Sequence, residues 1–117
     1  MEDHNSYSDV TPEIVRLAEL SREAGVIDSE LFTKYDVKRG LRDLNGKGVL
    51  AGLTNISDVR ASKMVDGKSV PCDGHLFYRG YEVNDLVEGF HKDHRFGFEE
   101  VTYLLLFNKL PDKQKLA

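Results

Sequence analysis

The sequence predicts a mainly α-helical chain with a small antiparallel β-meander in the middle. Apolar residues recur at helical spacing over residues 14–24 and again over 83–90. Between these stretches lies Asp66-Gly67, a dipeptide that favours the two-residue turn of a β-hairpin. Residues 98–107 are apolar on almost every side of a helix, so that helix must be covered on every side.

Composition excludes several classes of protein. The 117 residues carry 16 Lys and Arg against 20 Asp and Glu, a formal charge of −4 that argues against a nucleic-acid platform. No apolar run approaches the length of a membrane span, and the first residues do not form an export signal. Cys72 is the single cysteine and cannot close an intramolecular disulfide. We therefore expect a cytoplasmic protein that binds neither nucleic acid nor a membrane.

The N-terminal third is predicted to contain two helices. Residues 1–10 are polar and aperiodic, which indicates a flexible arm. Thr11 is a suitable N-cap, Pro12 fits the first helical turn, and Gly25 is expected to end the helix in a left-handed conformation. A second, short helix is predicted to begin at Asp28, which would cap it.

The middle of the chain is predicted to form the sheet. Residues 48–57 alternate between two sets of side chains, which suggests a strand. Residues 63–70 form the hairpin signal, and a further strand is expected over residues 75–79.

The last third predicts helices over residues 83–90 and 98–107, with Asn108 as the C-cap of the second. Asp112 is a predicted N-cap of another helix, and only five residues follow it. The apolar helix and the unfinished helix together suggest that residues 1–117 are one incomplete domain, the front part of a larger fold.

Two pairs of residues suggest chemistry. His91 and His94 have a spacing found in metal sites, but a third ligand is not apparent, and a solvated loop is the preferred interpretation. Cys72 and His75 have the spacing of a thiol and its base, but they flank turn residues, and an inert cysteine at a strand end is preferred. We therefore predict no metal ligand and no catalytic residue.

The segment from Lys38 to Gly48 combines basic side chains with glycines, a composition that suits anion binding. It is not a Walker loop, because five residues rather than four separate Gly40 from Gly46 and no Ser or Thr follows Lys47. A loop that contacts phosphate and an ordinary solvated turn both remain open.

Three runs of sequence closely resemble the N-terminal part of citrate synthase. They are Gly48–Ser57, Leu76–Leu86 and Phe98–Pro111, and the resemblance extends over about residues 37–117. It implies the N-terminal part of the citrate synthase fold, in an enzyme that condenses acetyl-CoA with oxaloacetate and water to give citrate and CoA. The implied enzyme is a homodimer in the tricarboxylic acid cycle and needs no cofactor, since acetyl-CoA is a substrate.

The resemblance also implies where the chemistry lies. The two histidines and the aspartate of the family's mechanism belong to later motifs that have no counterpart here, so we expect the chain to be inactive alone and to require the remainder of the enzyme. Arg42 corresponds to a basic residue that contacts a CoA phosphate. The run Tyr78–Tyr81 is interpreted as architectural, turning the last strand into the next helix, and both an architectural and a binding role stay open for Arg79. The alternatives are a fragment of 2-methylcitrate synthase and a non-catalytic helical interaction module.

Overall fold

A computed structural model describes residues 9–43, 45–46 and 48–116. In the described residues, two helices precede and three helices follow, along the chain, an antiparallel sheet with strand order β1-β2-β3. In chain order the elements are α1 (Pro12–Ala24), α2 (Glu30–Lys34), β1 (Ser57–Val65), β2 (Lys68–Tyr78), β3 (Tyr81–Glu82), α3 (Val83–Lys92), α4 (Phe98–Phe107) and α5 (Lys113–Leu116). The described residues therefore form five helices and a three-stranded sheet. This agrees with the predicted mainly helical class that contains a small β-meander. The predicted arm, residues 1–10, lies outside the described residues except for its last two.

Helix α1 begins and ends where the sequence predicts. Thr11 is the N-cap, and its Oγ1 accepts a hydrogen bond of 3.2 Å from the backbone N–H of Ile14. The predicted left-handed stop at Gly25 is wrong, because its φ is −87°. The N–H of Gly25 instead donates to the carbonyls of Ser21 and Arg22, so the last turn tightens without changing hand.

The shorter helices also depend on local caps. Helix α2 begins at Glu30, with Ser29 as N-cap, one residue later than a cap at Asp28 predicts. The carboxylate of Asp28 nevertheless accepts a hydrogen bond of 2.9 Å from the Glu30 N–H. The predicted cap at Asp112 is confirmed, since its Oδ1 accepts from the Lys115 N–H at 2.9 Å.

The strand predicted over residues 48–57 is wrong. Within this stretch, Gly48 forms one β-bridge with Arg42, and the first strand of the sheet begins only at Ser57. Alternation shows that a segment is extended, but it does not supply a partner strand. Here β2 is paired with β1 on one side and with β3 on the other. The strand expected over residues 75–79 is the end of the longer β2.

Two turns with positive φ connect the three strands. Asp66 and Gly67 have φ of 50° and 75°, as a type I′ hairpin turn requires, and the predicted hairpin is confirmed. Arg79 and Gly80 have φ of 48° and 85° and connect the paired residues Tyr78 and Tyr81 in the same way.

Helices α3 and α4 occupy the positions that the apolar spacing predicts. Asn108 caps α4 in the left-handed conformation, with φ of 56°, and its N–H donates to the Leu104 carbonyl at 2.9 Å. Leu104 is fully buried, and in the described part of the chain only Leu86 of α3 is also buried. Most of α4 is less covered than its composition predicts.

The whole molecule is elongated. Its radius of gyration is 19.6 Å, whereas a compact domain of this length has about 13 Å. Its accessible surface is 10150 Å², against about 6,400 Å² for a compact protein of the same mass. Much apolar surface therefore remains in contact with solvent.

Candidate functional site

The basic loop, residues 38–48, is a short irregular hairpin. The Lys38 N–H donates to the Leu50 carbonyl at 2.8 Å and closes the base of the loop. Nearer the tip, the Val49 N–H donates to the Leu41 carbonyl at 3.3 Å, beside the bridge between Arg42 and Gly48. These bonds connect the two sides of the loop in its described residues, which belong to no strand of the sheet.

Arg42 reaches across the turn of this loop. Its Nη1 donates to the Gly46 carbonyl at 3.1 Å, and the Gly46 N–H donates to the Asp43 carbonyl at 2.9 Å. Gly46 has φ of 77°, a conformation that glycine adopts without steric cost. The side chain of Arg42 is exposed. A guanidinium has five N–H donors in a planar fork, so this arrangement places a group suited to phosphate on the surface of the loop.

The other basic residues of the loop differ in their surroundings. Lys38 Nζ forms an ion pair of 3.0 Å with Asp36, and this hydrogen bond raises the pKa of the lysine. Its positive charge is therefore offset locally. Lys47 and Leu44 lie outside the described residues.

The structure places the histidines of the two residue pairs noted in the sequence. His91 belongs to the last turn of α3, and His94 follows the helix with φ of 54°. Within the described ranges, no group of three His, Cys, Asp or Glu side chains is placed to hold a metal ion. The ring of His75 is engaged by Glu82, whose Oε1 lies 2.9 Å from Nδ1.

Arg79 joins three parts of the fold. Its Nε and Nη2 donate to the Leu105 carbonyl in α4 at 3.0 and 2.8 Å. Its Nη1 donates to the carbonyl of Ala24, the last residue of α1, at 2.9 Å, and to Oδ1 of Asn55 at 3.1 Å. Carbonyls at helix C-termini carry partial negative charge, so a guanidinium between two helix ends is electrostatically favourable. Of the two roles left open for Arg79, these contacts favour the architectural one.

Asn55 completes this cluster and was missed by the sequence analysis. Its Nδ2 donates to the carbonyls of Ala24 and Val26 at 2.9 and 3.2 Å. The backbone N–H of Arg79 donates to the neighbouring Ile56 carbonyl at 2.8 Å. We call Arg79 and Asn55, with the carbonyls that they bind, the Arg79–Asn55 node. No local signal marks Asn55, because its partners lie 29 and 31 residues away.

A second surface feature is an apolar groove between α3 and α4. It has a volume of about 400 Å³ and is lined by residues that include Leu86, Phe90, Phe98 and Leu105. Gly97 permits the close approach of Phe90, because a Cβ at position 97 would lie 2.2 Å from the ring. Helices long and apolar enough to cross a membrane do not occur in the part of the chain that the structure describes.

Comparison with known proteins places this chain in a family. Residues 41–117 match the family described as "Citrate synthase, C-terminal domain". This match includes Arg42, Asn55 and Arg79. The description names a C-terminal domain, so the predicted N-terminal position within the family fold gains no support from it. No solved structure matches the chain.

Similar curated proteins bear two related names. A protein named 2-methylcitrate synthase 2 from Corynebacterium glutamicum is 40% identical over 85 residues, which cover 73% of this chain and 17% of that protein. Citrate synthase 1, peroxisomal, from Arabidopsis thaliana is 39% identical over 67 residues, which cover 56% of this chain and 12% of that protein. The chain thus spans no more than about a sixth of the length of these relatives.

Proposed function

Since this chain belongs to the citrate synthase family of transferases, we propose that it supplies one segment of an enzyme that condenses an acyl-CoA with oxaloacetate. Within that enzyme, the basic loop binds a phosphate of CoA through Arg42. The observation that carries this assignment is the exposed Arg42 guanidinium, held over the Gly46 turn at 3.1 Å. The donors of a guanidinium form charge-assisted hydrogen bonds with phosphate oxygens.

The chemistry of condensation is assigned to residues outside this segment. Proton transfer at the acyl carbon needs carboxylate and imidazole groups held against the substrate. Among the histidines of residues 9–116, His75 is paired with Glu82, and His91 and His94 lie at the end of α3 and just beyond it. We propose that the segment contributes to binding and requires the rest of the enzyme for activity.

The acyl group of the thioester substrate distinguishes two possible activities. The two products named in the relatives, citrate and 2-methylcitrate, differ by one methyl group. A single methylene in an apolar pocket changes specificity by only about 1–3 kcal/mol. We propose acetyl-CoA as the substrate, with an acyl-CoA one carbon longer as the alternative that the first relative favours. Comparing kcat/KM for the two thioesters in the complete enzyme decides between them.

The phosphate contact is tested by Arg42→Ala in the complete enzyme. Phosphates lie far from the reacting carbon, so their contacts contribute equally to the ground state and the transition state. The KM for acetyl-CoA should rise roughly five- to thirtyfold, equivalent to about 1–2 kcal/mol, with kcat and the KM for oxaloacetate nearly unchanged. Because Arg42 is exposed, the effect should shrink as salt concentration rises.

Two controls make this test specific. Acetyl-pantetheine lacks the phosphates of CoA, so Arg42→Ala should leave its KM unchanged. Lys47→Ala removes the same charge from the same loop and should have little effect on either thioester. An unchanged KM for acetyl-CoA in Arg42→Ala, or an equal increase in Lys47→Ala, would show that the basic loop is a structural turn.

A further inference from the structure

The two ends of the basic loop are attached to the fold in different ways. The chain enters the loop from α2, a helix of five residues whose Phe32 remains 43% exposed. It leaves the loop through Asn55 and Ile56, both of which bind Arg79. The exit therefore has several polar contacts with the helices and the sheet, whereas the entry depends on a short and poorly covered helix.

The exit governs the position of the whole loop. The hydrogen bond from Lys38 N–H to the Leu50 carbonyl connects the entry to the exit segment only five residues before Asn55. A displacement at Asn55 is thus transmitted to both sides of the loop and to Arg42 at its turn. The Arg79–Asn55 node fixes this point against the C-terminal ends of α1 and α4.

The chemistry of the node suits a rigid anchor. Arg79 presents its donors in a plane and distributes them over the Leu105, Ala24 and Asn55 oxygens. Asn55 uses both ends of its amide, accepting from Arg79 and donating to the carbonyls of Ala24 and Val26 at the end of α1. A lysine at position 79 has a single ammonium group and cannot reproduce this planar arrangement.

We propose that the Arg79–Asn55 node is a positioning device for CoA binding, which holds the basic loop so that Arg42 meets the phosphate. This inference rests on the proposed function, because it assigns to the node an effect on the same phosphate contact. Neither residue of the node touches the substrate. Loss of the node lets the loop sample other orientations, and the apparent affinity falls with the fraction of molecules that keep Arg42 in place.

The test uses Asn55→Ala in the complete enzyme, alone and combined with Arg42→Ala. Asn55→Ala removes the three side-chain hydrogen bonds of Asn55. It leaves the bonds from Arg79 to Leu105 and Ala24 in place, so the fold should persist. If about a tenth to a third of molecules keep the loop in place, the KM for acetyl-CoA should rise about three- to tenfold without a change in kcat. Asn84→Ala, at an exposed position of α3, is the matched control and should change neither constant.

The double variant separates positioning from general damage. If the node acts through Arg42, Asn55→Ala should cause no further rise in KM once Arg42 is alanine, because the two changes remove the same interaction. With acetyl-pantetheine, Asn55→Ala should have no effect. Arg79→Lys should behave like Asn55→Ala if it folds. If it does not fold, the Asn55 variants decide alone.

The possible failures are distinguishable. A raised KM in Arg42→Ala together with an unchanged KM in Asn55→Ala, or with multiplicative effects in the double variant, would overturn the positioning role and leave the phosphate contact intact. An equal effect of Asn55→Ala on acetyl-pantetheine would also overturn it. An unchanged KM in Arg42→Ala would overturn the proposed function and this inference together.

Discussion

Glu13 links the first helix to the last at the level of single side chains. Its Oε1 accepts from Arg16 Nη2 at 2.6 Å and from Lys115 Nζ at 3.3 Å, across 102 residues of sequence. The hydrogen bond from Arg16, followed by that from Lys115, lowers the pKa of Glu13 from 4.5 to about 2. The folded chain therefore favours the ionised carboxylate.

We predict that the pKa of the Glu13 carboxyl lies well below that of an ordinary glutamate. Because its pKa is lower in the folded state, its contribution to stability is fully present above the ordinary pKa of 4.5 and is lost as the pH falls towards 2. A carboxyl carbon NMR titration of the chain measures this pKa directly. Lys115→Ala should raise it partly and Arg16→Ala should raise it further, whereas a wild-type midpoint near 4.5 would contradict the contact with both cations.

At the scale of elements, features that depend on neighbouring residues could be predicted from the sequence. Features that depend on a distant partner could not. Thr11 and Asn108 act within four residues of themselves, so the bounds of α1 and α4 could be predicted from sequence. A strand over residues 48–57 was predicted wrongly, because pairing depends on a partner that periodicity does not specify. The hairpin at Asp66-Gly67 succeeded because its partner strand is adjacent.

In the candidate site, too, the local feature could be predicted and the long-range contact could not. The basic loop was visible from its composition, and the structure places Arg42 at its turn, although the phosphate contact remains a prediction. Asn55 was missed because an exposed asparagine has no periodic signature and its partners at the end of α1 are distant in sequence. Residues that act through distant backbone carbonyls leave no pattern in their own neighbourhood.

Two glycines near the contact between α3 and α4 should respond in opposite ways to substitution by alanine. Gly97→Ala should lower the free energy of unfolding by about 1–3 kcal/mol, because overpacking forces the Phe90 ring to move. Gly89→Ala, inside α3, has nothing within 4 Å of its new Cβ and should raise the free energy of unfolding by about 0.5–1 kcal/mol. Urea denaturation followed by circular dichroism measures both. Stabilisation of the chain by Gly97→Ala would show that Phe90 does not occupy this position.

At the scale of the whole molecule, the chain exposes more apolar surface than an isolated protein of its size. Phe98 of α4 is 78% exposed and Leu106 is 49% exposed, although the same helix contains the fully buried Leu104. Large contiguous apolar patches on soluble proteins usually mark surfaces that other protein covers. In the proposed enzyme, further polypeptide would cover them.

We predict that the chain self-associates when it is produced alone. Full burial of a large apolar side chain contributes roughly 1.5–3 kcal/mol, so copies of the chain gain by covering α4 for one another. Leu106→Lys should shift the mass measured by light scattering towards the monomer. Val59→Lys introduces the same charge at an apolar residue of β1 that is 72% exposed, and it should leave the mass unchanged. A monomeric wild-type chain would show that α4 needs no further cover.

Position 79 is subject to two competing demands. The turn between β2 and β3 holds this residue at φ of 48°, a left-handed conformation that costs an L-residue other than glycine or asparagine about 1–2 kcal/mol. A sequence chosen for the turn alone would place one of those residues there. Neither has a side chain that reaches the carbonyls of Ala24 and Leu105 as arginine does. The fold thus accepts a less favourable backbone at one residue together with a connection between two helices, and a better turn former at position 79 would remove that connection.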